Sequence, residues 1–309
     1  MRYSKHTPNE EEKNMKKKAL CLVLGLMMAL MMMPAALADG EWKVTLGNDL
    51  TQSQREEVFS MLGVKEDEVQ LFTITIDEEK ALLGDLVPSD KIGTCSLSCA
   101  SVRPLAEGDG IKVSTQNITW VSETMYASAL ATAGVKDAEV KVACPVKVSG
   151  TAALAGIFKA YEATSGELSD IAKETATEEL VTTGELGEII GQEQAAELIA
   201  MIKQKILELG YDNPDTVRPV VIQVAGDLNI TLTDDQIETI TNLIVSIANL
   251  DIDPAQLASQ VQKINDSLKD LAQTSEKASG FVESIKNFFA NLGNWFKSLF
   301  GSAALVSGR

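Results

Sequence analysis

The side chains in this chain most suited to covalent chemistry are its cysteines. Cys21 lies in an apolar N-terminal stretch, and Cys95, Cys99 and Cys144 lie in the rest of the chain. On one strand, Cys95 and Cys99 would face the same way about 13 Å apart, too far to bridge each other. Either of them can pair with Cys144 on a neighbouring strand, and three small buried thiols are an equal alternative. An odd number of cysteines in an exported protein leaves either one free thiol or one cysteine that forms an intermolecular disulfide.

Histidine chemistry is excluded if the N-terminal segment is removed, because the only histidine is His6. A chain without histidine has no Ser-His-Asp or Cys-His nucleophile, no His-ligated zinc and no imidazole acid–base catalysis. Paired carboxylates remain, as in glycoside hydrolysis. The chain has 44 acidic residues, so no single pair stands out. There is no P-loop and no GxGxxG motif, and we expect neither a cofactor nor a metal.

One stretch imitates a calcium-binding loop. Six oxygen-bearing residues occupy positions 1, 3, 5, 7, 9 and 12 of the EF-hand spacing: Asp227, Asn229, Thr231, Thr233, Asp235 and Glu238. Position 6 requires glycine for its sharp turn, and here it is Leu232. Thr233 is better explained as a helix N-cap, so we expect no calcium site.

The N-terminus has the pattern of an export signal. Three lysines, 16–18, precede an uncharged apolar run of 15 residues, Ala19–Met33, and Pro34 follows it. Fifteen residues fall short of the roughly 20 that span a bilayer as a helix. The small-x-small triplet 36–38 predicts cleavage after Ala38. We therefore expect a secreted or extracytoplasmic protein, with Met15 as a plausible true start.

Residues 39–309 are strongly acidic. They keep 21 of the 27 basic and 41 of the 44 acidic side chains, a net charge of −20. This charge repels nucleic acid and anionic lipid at long range, so we expect no nucleic-acid partner. The simplest interpretation of the acidity is solubility.

Hydrophobic periodicity predicts an α+β fold. Residues 39–148 form a mixed α/β domain, with strands at 41–46, 68–76, 92–103 and 138–148, one or two strands at 110–121, and helices at 50–63 and 122–134. Within it, "GVKEDEVQL" (63–71) is similar to "GVKDAEVKV" (134–142). This internal similarity suggests a duplicated half-domain.

The sequence after residue 148 is typical of helices. Residues 149–280 form an all-helical domain with capping signals at Thr233 and Asp253-Pro254. The stretch 213–231 is ambiguous, since its prolines favour either a linker or a short helix. An amphipathic aromatic helix (281–300) and a tail (301–309) end the chain.

The segment 281–300 gathers aromatic and aliphatic residues on one face of a helix. They are Phe281, Ile285, Phe288, Phe289, Leu292, Trp295, Phe296, Leu299 and Phe300. This face can pack on the helical domain, or it can bind a membrane surface or an envelope protein. Self-association through it is a further interpretation.

Three stretches carry a resemblance to a known family: "NITWVSETMYASALATAGVKDAEVKVACPVKVSGTAALAGIFKAYEATSG" (117–166), "TLGNDLTQSQREEVFSMLGV" (45–64) and "LVPSDKIGT" (86–94). They resemble the family called domain of unknown function 1002, which consists of exported proteins of Firmicute-type bacteria. The resemblance implies a Gram-positive envelope or secreted setting. It implies no activity, so it assigns no catalytic residue. The cysteines are not part of the family pattern.

These observations favour an exported envelope or extracellular protein that binds or scaffolds without catalysis. The alternative is a histidine-independent hydrolase of cell-wall polymer or glycan that uses two carboxylates. A hydrolase requires a cleft with two acidic side chains about 5–10 Å apart. A binding module requires a complementary surface instead, and the question of enzymatic activity stays open at this point.

Overall fold

A computed structural model describes residues 40–87 and 92–274. The predicted α+β class is confirmed: a mixed sheet with helices comes first, and a helical region follows. The strands are β1 (Lys43–Gly47), β2 (Gln70–Ile74), β3 (Cys99–Pro104), β4 (Ile111–Ile118) and β5 (Ala138–Val148). Their order across the sheet is β2-β1-β3-β5-β4.

Strand direction gives the sheet one edge where most strands end. β3 is central and antiparallel to both of its neighbours, β1 and β5. β2 is parallel to β1, and β4 is parallel to β5. The four strands other than β3 therefore all run in one direction and end at the same side of the sheet. We call this side the carboxyl edge.

Local sequence signals explain where many helices begin. The helices are α1 (Gln52–Leu62), α2 (Ile76–Leu83), α3 (Glu123–Thr132), α4 (Ala153–Ser165), α5 (Asp170–Ile190), α6 (Gln192–Leu209), α7 (Pro214–Asp227), α8 (Asp234–Ala248) and α9 (Pro254–Thr274). Capping boxes start α1, α2, α3 and α8 at Thr51, Thr75, Ser122 and Thr233. In each, the cap side chain accepts a hydrogen bond from a first-turn N–H that the helix leaves unpaired.

The repeated sequence marks equivalent positions in two strand–helix–strand units. Thr51 and Ser122 cap α1 and α3, and Gly63 and Gly134 follow those helices with φ of 66° and 88°. Glycine adopts this left-handed conformation without steric cost. α1 packs with Leu46 and Cys99 on one face of the sheet, whereas α3 packs on the other face.

The helical region has its own core, formed mainly by α6, α7, α8 and α9. The ambiguous stretch 213–231 contains helix α7, with Asn213 as N-cap and Pro214 in the first turn. Proline is tolerated there because its missing N–H would have no helical partner. Pro219 also lies inside this helix, so a single internal proline did not prevent it from forming.

Two sequence predictions in the α/β region are corrected. The strand predicted over 92–103 begins only at Cys99, because Ser96 is held in a different way: its N–H donates to Asp49 Oδ2 at 2.7 Å. The strand predicted over 68–76 ends at Ile74, because Thr75 is the N-cap of α2. Helix α2 is not among the predicted helices.

The interpretation of Thr233 as a helix cap is confirmed, since its Oγ1 accepts a hydrogen bond from the N–H of Gln236 at 3.2 Å. Over 40–87 and 92–274, no group of three or more His, Cys, Asp or Glu side chains is placed to hold a metal ion. No helix within those same ranges is both long and apolar enough to cross a membrane.

Other predictions fall outside the described residues. These are the export signal at 1–38, the aromatic segment 281–300 with its nine apolar side chains, and the tail 301–309. They stay predictions, as do the domain boundaries.

Candidate functional site

The carboxyl edge is where the connections between strands and helices meet. The connection after β1 contacts the one before β3, where Asp49 N–H donates to Ser96 O at 3.0 Å. The connection after β4 contacts the one after β5, where Val121 N–H donates to Ser149 O at 3.0 Å. In sheets with parallel strands, ligands bind in crevices outside the carboxyl ends, so this edge is the first place to seek a site.

A groove begins at the end of β4. Its first cavity, of about 330 Å³, is lined by Thr115, residues 118–124, Gln192 and Glu193. Its second cavity, of about 200 Å³, is lined by residues 111–113, Glu123, Thr124, Ala127, Ile264, Ser267 and Leu268. Both cavities include Glu123 and Thr124, so they adjoin. We call the two together the groove.

Two carboxylates line the first cavity, each held by a neighbour. Glu123 Oε1 accepts a hydrogen bond from Thr115 N–H at 2.9 Å. Glu193 Oε2 accepts one from Thr124 Oγ1 at 3.4 Å. Both acids lie in the first turn of a helix, α3 and α6 respectively, where the helix dipole stabilises negative charge. No lysine or arginine is among the described residues that line this cavity, whereas Lys112 lines the second one, so negative charge is concentrated in the first cavity.

Trp120 gives the first cavity a fixed apolar wall. The residue is 7% exposed, and its indole N–H donates to Glu188 Oε1 at 2.9 Å. Gly184 of α5 permits this position, because a Cβ atom there would lie 2.2 Å from the indole ring. The wall therefore depends on close contact between the ring and the backbone of α5.

A buried polar network fixes α3, the helix that carries Glu123. Lys203 Nζ of α6 donates to Thr132 Oγ1 at 2.7 Å and to Glu179 Oε1 at 2.9 Å. Ser128 Oγ donates to the same Glu179 oxygen at 2.5 Å, and Thr132 Oγ1 also bonds Glu179. These side chains come from α3, α5 and α6, so the network sets how the three helices pack.

Another carboxyl group is buried behind the groove. Glu197 lies one turn beyond Glu193 on α6, is 2% exposed, and its Oε1 has no hydrogen-bond partner within the described part of the chain. Burial raises the pKa of Glu197 to about 8, and the nearby Glu193 charge adds to this effect. Glu197 is thus largely protonated at neutral pH.

A third cavity, of about 390 Å³, also lies at the carboxyl edge. We call it the Cys95 cavity; it is lined by residues 92–95, Leu97, Ser98, Val148, Ser149 and Ala152. Next to it, Ser96 and Glu79 are both fully buried, and Ser96 Oγ lies 2.5 Å from Glu79 Oε1. Burial raises the pKa of Glu79 to about 7, to which the Asp49 charge contributes.

The three cysteines within the described residues are free thiols, Cys95 exposed and the other two buried. Cys99 lies opposite Ala143 across β3 and β5, so Cys144 points to the other face of the sheet. Burial raises the pKa of the Cys99 thiol to about 12 and also raises that of Cys144. The pairing of Cys144 with Cys95 or Cys99 stays a prediction.

The groove acids and the buried network are not among the sequence predictions. One signal was present for Glu123, because the capping motif at Ser122 places it in the first turn of α3. Another was Lys203, which interrupts the apolar run "ELIAMIKQKIL" of α6. No sequence signal brought Glu193 to Thr124, since 69 residues separate them.

Comparison with known proteins identifies the family of this chain. The fold is α+β, and residues 46–264 match the family described as "Protein of unknown function (DUF1002)". The chain belongs to this family, which confirms the resemblance found in the sequence. It is also 39% identical over 291 residues to "Uncharacterized protein YpuA" of Bacillus subtilis (strain 168), covering 93% of this chain and 100% of that relative. No solved structure matches the chain.

Proposed function

We propose that this protein acts outside the cytoplasmic membrane as a non-catalytic binding protein, and that its groove takes an extended, basic segment of an envelope protein. The observation that carries the proposal is the pair Glu123 and Glu193 in a cavity lined by hydroxyl groups, the Gln192 amide and the apolar wall of Trp120, without a basic side chain among its described lining residues. Lysine and arginine side chains form their strongest hydrogen bonds with such carboxylates.

The shape of the groove supports an extended occupant. Its two cavities adjoin at Glu123, and apolar residues lie at both ends: Ile118 and Val121 in one cavity, Ile264 and Leu268 in the other. A peptide with a basic residue flanked by apolar ones would place its charge at the acids and its apolar side chains at the two ends of the groove. The net charge of −20 over residues 39–309 would also speed the approach of a cationic partner.

The location outside the cytoplasm is supported by the sequence of residues 1–38. The apolar run Ala19–Met33 and the triplet 36–38 have the order of an export signal. N-terminal sequencing of the protein from culture medium and cell wall tests this part. A mature chain that starts at Asp39 supports it, and an intact N-terminus in the cytoplasm contradicts it.

The distribution of protonated carboxyls favours binding over hydrolysis. A glycosidase requires one carboxyl that keeps its proton and can reach the bond to be cleaved. The two carboxyls whose pKa burial raises to about 7 and about 8, Glu79 and Glu197, are not among the residues that line the groove.

Hydrolysis remains the second candidate, because one observation favours it. Glu197 and Glu193 are a turn apart on α6, and the charge of Glu193 contributes to the raised pKa of Glu197. Such a pair holds one proton near neutral pH, which is the requirement for acid–base work. Release of reducing ends from purified cell-wall glycan, lost in Glu197→Gln, would establish this alternative.

The binding proposal is tested by NMR titration of residues 39–309 with two pentapeptides. One carries a central lysine between apolar residues, and the other carries glutamine at that position. Shift changes at Thr115, Glu123 and Glu193 with the lysine peptide alone support the proposal. Glu123→Gln should remove the shift changes that the lysine peptide causes. Glu238→Gln, at an exposed acid on α8, is the matched control and should keep them. Equal shifts with both peptides, or shifts elsewhere, contradict it.

A further inference from the structure

Strand β4 lies at one end of the described sheet and borders the groove. The strand order β2-β1-β3-β5-β4 gives it one strand neighbour, β5, among the described residues. Ile111 and Val113 of this strand line the second cavity of the groove, and Thr115 lines the first. An edge strand presents backbone N–H and C=O groups with which another chain can pair.

Two hydrogen bonds show which positions of β4 present these groups. Ala138 N–H of β5 donates to Gly110 O at 3.1 Å, so the even-numbered positions face β5. Thr115 N–H donates instead to Glu123 Oε1 at 2.9 Å, so the odd-numbered positions face away from β5. The pairing with β5 is regular up to residue 116, and alternate residues of a strand direct their backbone groups to opposite sides. The N–H and C=O of Val113 therefore also point away from β5.

Glu123 limits where another strand can pair with β4. Its Oε1 lies where a carbonyl oxygen of an added strand would accept the Thr115 N–H, so pairing is blocked at Thr115. Lys112 is an exposed charged residue of the same strand, and such residues on an edge strand oppose indiscriminate pairing. The outward groups of Ile111 and Val113 remain for a specific partner.

The second cavity provides apolar contacts beside these two residues. Its lining includes Ile264 and Leu268 of α9. Side chains of a strand alternate between two faces, so every second residue of an added strand would face these apolar groups. The residues between them would face the other side of the sheet, where Lys112 and Ser114 are exposed. An added strand should therefore alternate apolar and polar residues.

We propose that the basic segment binds by strand addition, antiparallel to β4 and paired with Val113 and Ile111; this inference rests on the proposed function of the groove. The lysine of the segment lies just outside the paired part, beside Glu123, which borders both cavities. The residues two and four positions after the lysine pair with Val113 and Ile111, and their apolar side chains contact Ile264 and Leu268. Antiparallel pairing is the more stable per residue. In strand addition the main chain provides affinity, and alternate side chains provide specificity.

Hydrogen exchange of backbone amides measures this pairing on β4. The probe is a heptapeptide with lysine at position 3, apolar residues at positions 1, 5 and 7, and serine at the others. At saturation it should slow exchange of the Val113 amide at least about tenfold, because this N–H then donates to the carbonyl of position 5. The Ser114 amide, which faces β5, should stay within about twofold. Unchanged exchange at Val113 with the peptide bound overturns the proposal.

Methylated peptides test the same bonds without altering the protein. Methylation of the backbone nitrogen at position 5 removes an N–H that faces β4, whereas position 6 is the matched control because its N–H faces away. Affinity should fall at least about tenfold with methylation at position 5 and stay within about threefold with methylation at position 6. Equal affinities of the two methylated peptides, or a greater loss at position 6, overturn the proposal.

A heptapeptide with glutamine at position 3 separates this inference from the proposed function. A preference for lysine without slower exchange at Val113 overturns strand addition and leaves recognition of the charge in place. Slower exchange at Val113 with both peptides, at equal affinity, supports strand addition and contradicts the proposed function. Failure of both peptides to bind overturns both.

Discussion

Lys203 Nζ lies 2.9 Å from Glu179 Oε1, and both side chains are 1% exposed. The pair joins α6 to α5, and the hydroxyls of Ser128 and Thr132 join α3 to both. Burial lowers the pKa of Lys203, and the Glu179 carboxylate opposes this shift. Such a pair adds little net stability over apolar residues, but breaking it leaves one buried charge alone.

Lys203→Met should therefore lower the free energy of unfolding by about 3–5 kcal/mol, because Glu179 would remain charged or take up a proton without its partner. Urea denaturation at neutral pH measures this loss. The matched control is the double variant Lys203→Met with Glu179→Leu, which should recover most of the stability. Equal losses in the single and double variants would show that the pair itself stabilises the helices.

The unfolding free energy should decrease as pH rises from about 4.5 to 8. Folding raises the pKa of Glu197 from 4.5 to about 8, so the folded state binds the proton more tightly. Its contribution is fully present below the unfolded pKa and is lost as pH rises toward the folded pKa, with a slope of up to about 1.4 kcal/mol per pH unit.

Glu197→Gln should reduce this slope of unfolding free energy against pH. The reduction should be clearest between pH 7 and 8, because Glu79, with its pKa of about 7, is largely ionised there and contributes little to the slope. Glu238→Gln, at an exposed position, should leave the wild-type slope unchanged. Denaturation midpoints across this pH range provide the measurement. A wild-type slope retained in Glu197→Gln would mean that Glu197 ionises normally.

Gly184→Ala should destabilise the protein by about 1–3 kcal/mol, because the new methyl group would collide with the Trp120 ring. The ideal Cβ position lies 2.2 Å from that ring. Gly226→Ala is the matched control: it lies in α7 with no atom within 4 Å of its Cβ position, so it should stabilise slightly. Thermal melts of the two variants should shift in opposite directions. Peptide binding in the groove should weaken only in Gly184→Ala.

The aromatic segment 281–300 carries a separate proposal, that it attaches the protein to a membrane surface. Residues 39–309 should float with zwitterionic vesicles, since a net charge of −20 repels anionic ones. A truncation that ends at Gly280 should not float and should melt like the longer chain. A truncation that melts lower, with neither form floating, would show instead that the segment packs on the protein.

Local signals predicted much of the fold. Thr233 sits at the helix start that its capping motif indicated. The helices predicted at 50–63 and 122–134 begin directly after their caps, Thr51 and Ser122. The repeat at Gly63 and Gly134 identified two equivalent helix-to-strand connections. These signals succeed because they depend on residues within a few positions of each other.

Contacts between distant residues decided what the sequence could not predict. Residues 92–98 have the composition of a strand, but hydrogen bonds from Ser96 to Asp49 and Glu79 hold them in another conformation. The groove likewise depends on α6 placing Glu193 beside Thr124. Tertiary packing overrides local propensity in such places, and a single sequence carries no record of it.

The measurement that tests the central claim most directly is a charge-swap calorimetric titration of the groove. Wild-type protein and the double variant Glu123→Lys with Glu193→Lys are titrated with peptides that carry a central lysine or a central glutamate. The account predicts that wild type prefers the lysine peptide by at least about tenfold, and that the variant reverses the preference. Wild-type affinity that is equal for both peptides, or a preference unchanged in the variant, would contradict it.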